Sequence, residues 1–203
     1  MVPSAASPLL EVVHVADQLV RWSTPPGGEQ TKAPPAREIL DESQEPTMDH
    51  DAMLRLFRSH RDAEAARDFD AILATFVEDC YLDTVALGLR SEGRAAARAA
   101  YEAYFTAFPD LAPDDEGYAF SENTVVSWGT LRGTSGGDWL GIPPSGRSFA
   151  VRFVNVAPMR SELMAGESIC FDLATLCEQA GLPLDELRAA AKGRVQAPTV
   201  WRG

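Results

Sequence analysis

The strongest constraint on the fold of this chain is the order in which two hydrophobic periodicities follow each other. From about residue 49 to residue 108, apolar side chains recur as on one face of a helix. One strand with a turn, over residues 80–89, interrupts this helical region. From about residue 116 to residue 171, apolar residues alternate with polar ones, and strands are predicted over residues 116–120, 124–134, 148–156 and 168–171. Helices followed by a largely antiparallel sheet are typical of an α+β fold, which is the class that the sequence predicts.

The predicted helices lie at both ends of this region. Two helices are separated near Arg67 and Asp68, and a third covers residues 94–108. Near the C-terminus, a short helix is predicted over residues 172–181, and residues 182–194 are expected to add another helical turn or two.

Composition divides the chain into regions. Residues 23–47 are polar and rich in Pro and Gly, so they bury too little apolar surface to offset the cost of ordering and are predicted to be a linker. Apolar residues within 9–20 recur at helical spacing and predict either a docking helix or a loosely held extension. We therefore predict an N-terminal extension with a flexible linker (1–47), one folded domain (48–187) and a C-terminal tail (188–203). Met48 as an internal translation start is an alternative.

The net charge limits the expected partners. Against 30 acidic residues there are 18 basic ones, which gives a formal charge of -12. Nucleic acids and anionic membranes attract positively charged surfaces, so neither is an expected partner. A small hydrophobic molecule and a second copy of the chain are the expected partners.

The cysteines and the hydropathy pattern predict a cytoplasmic protein. Cys80, Cys170 and Cys177 are odd in number and lack metal-ligand spacing, which favours a reducing compartment. No apolar run approaches the roughly 18 to 20 residues of a membrane span, and the N-terminus lacks the features of a secretory signal.

The motifs predict neither a cofactor nor a metal. The sequence contains no Gly-rich phosphate loop, no dinucleotide fingerprint and no nucleophile elbow. His14, His50 and His60 are not spaced as metal ligands, and no facing carboxylate cluster is evident. His60 is expected to be a partly exposed helix residue.

Four motifs occur in the order typical of one family. They are Phe-Pro-Asp-Leu at 108–111, TVVSWGTLRGT at 124–134, GIPPSGR at 141–147 and ESICFDLATLCEQAGL at 167–182. In these motifs the chain resembles the SnoaL-like polyketide and ester cyclases of the NTF2-like superfamily. The resemblance implies a cone, in which N-terminal helices pack on a strongly curved, mostly antiparallel sheet and a short C-terminal helix follows. It also implies an apolar interior that accepts a small ligand, and a homodimer.

Glu167 is the leading candidate for acid/base catalysis. Strand alternation places Glu167, Ile169 and Phe171 on one face, and the two large apolar side chains mark that face as the interior. An apolar wall would raise the pKa of a carboxylate toward the working pH. Ile169 and Phe171 are expected to line the ligand pocket. A carboxylate that points into solvent or pairs with an arginine is the alternative for Glu167.

Asp83 and Tyr81 are further candidates on the first predicted strand. Asp83 corresponds to the aspartate of the family's His-Asp-Pro segment, so the resemblance implies a second catalytic carboxylate, although Leu82 and Thr84 replace its neighbours. Tyr81 shares its alternation and is a predicted hydrogen-bond donor to the ligand. A structural role at the turn for Asp83 and a core role for Tyr81 are the alternatives.

Four more residues are predicted to contact a ligand. Trp128 and Arg132 share a strand face. Trp128 is predicted to form a wall of the pocket, or else to be a packing residue. Arg132 is predicted to bind an anionic group of the ligand, or else to form a surface ion pair. Asn155 is a predicted donor because an amide in an apolar strand needs a partner. Trp139 precedes the Pro-Pro turn and is either a lid residue or a hairpin contact.

The departures from the family bear on the reaction. Glu64, Ala100 and Ile169 occupy the positions of the tyrosine, asparagine and aspartate that line the pocket of the aldol-type cyclases, and Ser135 replaces a common histidine. These replacements argue against that aldol cyclisation.

Three hypotheses for the function follow. The first is a cofactor-free cyclase or isomerase that acts on a carbonyl compound by carboxylate acid/base chemistry. The second is a non-catalytic ligand-binding or dimerisation module. The third is an epoxide hydrolase of the limonene type, for which Asp83, Arg132 and Asp172 would have to converge.

Overall fold

The computed structural model describes residues 48–194. Its helices are α1 (His50–Ala66), α2 (Phe69–Ala74), α3 (Arg94–Ala107), α4 (Leu173–Ala180) and α5 (Leu184–Lys192), with a 3-10 turn at Val85–Leu87. Its strands are β1 (Phe76–Thr84), β2 (Leu89–Glu92), β3 (Ala112–Phe120), β4 (Thr124–Thr134), β5 (Ser148–Arg160) and β6 (Leu163–Phe171). The predicted extension, linker and most of the tail lie outside the described residues, and the domain boundaries stay predictions.

The break between α1 and α2 is fixed by local caps. Asp49 accepts a hydrogen bond from the backbone N–H of Ala52 at the start of α1, and Asp68 does the same for Ala71 at the start of α2. Between them, Arg67 ends α1 in the left-handed region, with a φ of 56°. The predicted break near Arg67 and Asp68 is therefore confirmed.

The six strands form one sheet in the order β2-β1-β6-β5-β4-β3. β1 and β6 run parallel, and the other four neighbouring pairs are antiparallel. α3 packs against β1 and α4 packs against β5. The helices and the single sheet confirm the predicted α+β class.

Three strands, β1, β3 and β6, begin earlier than predicted, the last two for identifiable reasons. β3 starts at Ala112 rather than at residue 116 because Pro113 is tolerated on an edge strand, where its missing N–H breaks no ladder. β6 starts at Leu163 because a two-residue turn joins it to β5. Ser161 and Glu162 form that turn with φ values of 51° and 62°, without the Asn-Gly signature that usually reveals it.

The chain also contains no candidate membrane span among residues 48–194, since no helix there combines sufficient length with sufficient apolarity.

Candidate active site

One cavity lies between the helices and the inner face of the sheet. Its volume is about 170 Å³, and it opens to solvent on one side. Most of its wall is apolar and is formed by Leu82, Phe105, Phe108, Leu111, Leu131, Trp139, Phe149, Ile169, Phe171 and Leu176. A second group of lining side chains is polar, namely Arg61, Glu64, Tyr101, Asp115, Asn155 and Glu167. An apolar pocket with a few convergent polar groups is the usual form of a small-molecule site.

Glu167 is the centre of the polar group. Strand alternation on β6 turns its side chain inward, where it is only 3% exposed. The Asn155 amide donates to Oε1 over 2.6 Å, and the Tyr101 hydroxyl donates to Oε2 over 2.7 Å. Both carboxylate oxygens are therefore held by short hydrogen bonds from different elements, β5 and α3.

His60 lies behind this carboxylate and is fully buried. Its Nδ1 is 2.8 Å from the hydroxyl of Thr75, which donates its own hydrogen to the carbonyl of Ile72 and so accepts from the ring. Its Nε2 is 3.1 Å from the hydroxyl of Tyr101, which donates to Glu167 and so also accepts. Both ring nitrogens must therefore carry hydrogen, which makes His60 an imidazolium.

The charges around the pair agree with this assignment. Burial alone would lower the pKa of His60, but the nearby Glu167 and Glu64 outweigh it and raise the pKa to about 9. Burial alone would likewise raise the pKa of Glu167, yet His60 at 3.4 Å and Arg61 at 3.8 Å hold that pKa well below its usual range. The expectation that an apolar wall raises this pKa is therefore wrong, because the charges of the neighbours exceed the desolvation effect.

Arg61 links the remaining acids. Its Nη1 is 2.7 Å from Oε2 of Glu64, and its Nε is 3.4 Å from Oδ2 of Asp115. Burial opposes the charge of Glu64, but Arg61 and His60 lower the pKa of this carboxyl. The cluster is a network in which each buried charge has an opposite charge beside it.

His60, Glu64 and Glu167 also form a potential metal-binding group. Each offers one donor atom, and these atoms lie within 4.8 Å of one another. This group was not predicted from sequence, because its members come from α1 and β6. An ion bound there would have to displace the proton on Nε2 of His60 and approach the guanidinium of Arg61. In the described structure, the proton on Nε2 of His60 and the guanidinium of Arg61 supply the positive charge beside Glu64 and Glu167.

The arrangement can transfer a proton. Glu167 lines the cavity as an ionised carboxylate, which is the proton-accepting form. The hydroxyl of Tyr101 lies beside it and can donate to an oxygen atom. Acceptor and donor thus face one space, as acid/base chemistry requires.

Five of the nine residues predicted from sequence lie on this cavity. They are Trp139, Asn155, Glu167, Ile169 and Phe171. Their roles in catalysis or binding stay predictions.

Tyr81 and Asp83 do not reach the cavity. Alternation on β1 turns Leu82 and Thr84 inward, so the two candidates point to the outer face. There the Arg90 guanidinium stacks 3.8 Å from the ring centroid of Tyr81 and lies 3.9 Å from Asp83. Leu82 was the signal for the interior face, since the apolar members of an alternating strand face the core.

Trp128 and Arg132 also lie outside the cavity. On β4 the inward positions are held by Ser127, Leu131 and their alternating neighbours, which leaves Trp128 37% exposed and the side chain of Arg132 57% exposed on the outer face. The size of the Trp128 side chain was therefore a misleading sign that its strand face is the interior one.

The constellation required for an epoxide hydrolase is not assembled. Asp172 is exposed and caps α4 by accepting from the backbone N–H of Thr175. Asp83 and Arg132 face outward and do not line the cavity. The third hypothesis from sequence is therefore wrong in its residues.

Several polar cavity residues were missed by the sequence analysis. His60 is buried rather than partly exposed, and it was overlooked because helix faces were read from apolar residues alone. Met53, Phe57, His60 and Glu64 follow one another at spacings of three and four, which places them on one helical stripe. Polar residues within such a stripe were the available signal.

Helices that back a curved sheet around an apolar cavity define an NTF2-like cone protein. Residues 54–180 match the family model described as SnoaL-like polyketide cyclase. The chain belongs to the SnoaL-like polyketide cyclase family.

Solved structures share this fold at low identity. TsrD from Streptomyces laurentii is 23% identical with a TM-score of 0.58, over 67% of this chain and 99% of its own. A SnoaL-like protein from Jannaschia sp. CCS1 is 22% identical with a TM-score of 0.61, over 69% and 99%. TerC, which was co-crystallised with polyporic acid, is 16% identical with a TM-score of 0.55, over 64% and 98%. No curated protein sequence matches the chain.

Proposed function

We propose that the protein is a cofactor-independent enzyme of the cyclase or isomerase type that moves a proton on a small hydrophobic carbonyl compound. One observation carries the proposal: the ionised carboxylate of Glu167 lines a largely apolar cavity with the hydroxyl of Tyr101 beside it. Family membership and the ligand in the TerC structure add support for a small organic ligand.

In the proposed reaction, Glu167 accepts a proton from the carbon next to the carbonyl group of the ligand. The electron pair of the broken C–H bond moves onto the carbonyl oxygen and forms an enolate, to which Tyr101 donates a hydrogen bond. The enolate carbon then attacks a second carbonyl carbon and closes a ring. Alternatively, Glu167 returns the proton to a different carbon, which isomerises the compound.

The hydrogen bond from Tyr101 to Glu167 links binding of the ligand to the basicity of Glu167. In the free protein this hydroxyl stabilises the Glu167 carboxylate and contributes to its lowered pKa. When the hydroxyl turns to the oxygen of the ligand, Glu167 loses that donor, so its pKa rises and it becomes a stronger base. The ligand itself would therefore activate the base.

A non-catalytic ligand-binding module is the second candidate. It is favoured by the engagement of Glu167 with Tyr101, Asn155 and His60, because a carboxylate with such a low pKa is a weak base. Ala100 and Ile169 at positions equated with catalytic residues of the aldol-type cyclases favour it as well.

The substitution Glu167→Gln separates the two candidates, since it preserves size and removes the charge. Ligand binding and turnover would be measured on a panel of aromatic polyketides and small cyclic ketones, with Glu178→Gln on the exposed side of α4 as the matched control. Turnover by wild type and the control, with at least a hundred-fold loss in Glu167→Gln despite retained binding, supports the enzyme. Binding without turnover in all three proteins leaves the binding module.

A further inference from the structure

The polar part of the cavity contains atoms that lack partners. Among residues 48–194, six buried side-chain nitrogen or oxygen atoms have no hydrogen-bond partner. Four of the six belong to Arg61, Asp115 and Asn155, all of which line the cavity. Buried polar groups are normally paired, so these four atoms indicate a partner that enters from the cavity.

The unpaired atoms include both donors and acceptors. Nε and Nη2 of Arg61 can only donate, and Oδ1 of Asp115 can only accept while this carboxylate is ionised. The amide of Asn155 is oriented by its donation to Glu167, which leaves Oδ1 as its free acceptor. The missing partner must therefore both accept and donate hydrogen bonds.

The three residues are close enough to contact one small head group. Nδ2 of Asn155 and Nη1 of Arg61 lie 2.6 Å and 3.8 Å from the same Oε1 of Glu167. Nε of Arg61 lies 3.4 Å from Asp115. The three side chains that carry the free donors and acceptors are thus neighbours on the cavity wall.

The local charge distinguishes between head groups. Three cations, His60, Arg61 and Arg67, face three carboxylates, namely Glu64, Asp115 and Glu167. These charges balance, so an additional carboxylate or phosphate on the ligand would find no unpaired positive charge. A neutral head group fits better.

We propose that the cavity selects neutral hydroxy ketones, whose carbonyl oxygen accepts from Arg61 and whose hydroxyl donates to Asp115. The rest of the ligand is an apolar ring system that packs on the aromatic wall with Phe108 and Trp139. This inference rests on the proposed function, because it names the class of ligand for the same cavity.

Four probes of similar size test the inference by isothermal titration calorimetry. They are 2-hydroxy-1-tetralone, its methyl ether 2-methoxy-1-tetralone, 1-tetralone, and the anion of tetralin-2-carboxylic acid. The hydroxy ketone is expected to bind roughly ten-fold more tightly than the methyl ether, which cannot donate, and more tightly than the other two. Equal affinity for the hydroxy ketone and its methyl ether would overturn the inference and leave ligand binding intact, with ordered water as the partner of the four atoms.

Two matched variants test whether Asp115 causes the preference for the hydroxy ketone. Asp115→Asn replaces a carboxylate of the cavity with an amide, whereas Asp114→Asn makes the same change on the neighbouring, exposed side chain of β3. The preference for the hydroxy ketone should fall several-fold in Asp115→Asn and stay unchanged in Asp114→Asn. An equal preference in both variants and wild type would also overturn the inference. Failure of all four probes to bind would overturn both this inference and the proposed function.

Discussion

The Tyr101 hydroxyl donates to Oε2 of Glu167 over 2.7 Å, across a separation of 66 residues in the chain. Tyr104 lies almost one turn further along α3 and also lines the cavity, but its hydroxyl bonds to Thr84 instead. Two tyrosines of one helix thus share an environment and differ in their partner, which provides an internal control.

Tyr101→Phe is therefore expected to lower kcat by roughly a hundred-fold, because it removes the donor for the enolate oxygen. Tyr104→Phe should change kcat much less, since its hydroxyl does not contact Glu167. Tyr101→Phe loses two buried hydrogen bonds, to His60 and Glu167, and Tyr104→Phe loses one, to Thr84, so the free energies of unfolding should fall by about 2 and about 1 kcal/mol. Steady-state kinetics and urea unfolding check these values, and equal kcat losses in the two variants would contradict the role given to Tyr101.

The His60–Glu167 pair makes stability depend on pH in a defined direction. Because folding raises the pKa of His60 from 6.5 to about 9, its contribution is complete below pH 6.5 and is lost as the pH rises toward about 9. Folding lowers the pKa of Glu167, so its contribution is complete above its ordinary pKa of 4.5 and is lost as the pH falls below that value. The pair therefore stabilises most between about pH 4.5 and 6.5.

His60→Gln tests this pH dependence. The wild-type free energy of unfolding should decline between pH 6.5 and 9, and the decline should be smaller in the variant because the titrating group is gone. His50→Gln is the matched control, since His50 is exposed and stacks on Phe120. If the curve of His60→Gln runs parallel to wild type across this range, the buried imidazolium is wrong.

Gly129→Ala is expected to destabilise the fold by about 3 kcal/mol through overpacking. A Cβ atom at Gly129 would lie 1.9 Å from the backbone oxygen of Asp114, which cannot move without shifting β3. The bulge between Asp115 and Gly117 lies at the same place, so the inward position of Asp115 depends on this close approach. Gly193→Ala serves as control, because its Cβ would meet only ordinary contacts at 3.6 Å. Similar melting temperatures for both variants would contradict the prediction.

The outer face of the sheet leads to a prediction about assembly. Trp128 and Val154 are cross-strand neighbours and are 37% and 40% exposed, and Cys170 continues the row on β6. We propose that this row contacts a second copy of the chain, in accord with the expected homodimer. Trp128→Glu should then halve the mass measured by sedimentation, whereas Ser59→Glu on the exposed side of α1 should not. A monomeric wild type would refute the proposal.

The sequence predicted the fold better than the site. Apolar periodicity identified α1, α3, β4 and α4 because each buries one continuous stripe. It failed at the turn of Ser161 and Glu162, where the backbone adopts positive φ without glycine or asparagine.

The candidate site was predicted only where alternation on a strand was unambiguous. Glu167 was found in this way, since Ile169 and Phe171 marked its face, and Asn155 was found because an amide in an apolar strand needs a partner. His60 and Arg61 were not, because a buried ion pair leaves no trace in hydrophobicity and is recognised only when the fold brings α1 to β6. Their partners on β6 are more than a hundred residues away in the sequence.

The parallel pairing of β1 with β6 determines when the site can form. β6 is the last strand of the described residues, so it leaves the ribosome after α1, α3 and the other five strands. Until it pairs with β1, His60, Arg61 and Tyr101 lack the Glu167 carboxylate that neutralises or accepts from them. Such long-range contacts close late and slow folding. A nascent chain that stops before residue 163 would therefore display a groove that contains Arg61, Glu64 and Asp115 but lacks the carboxylate at its centre, so the strand that completes the sheet also completes the site.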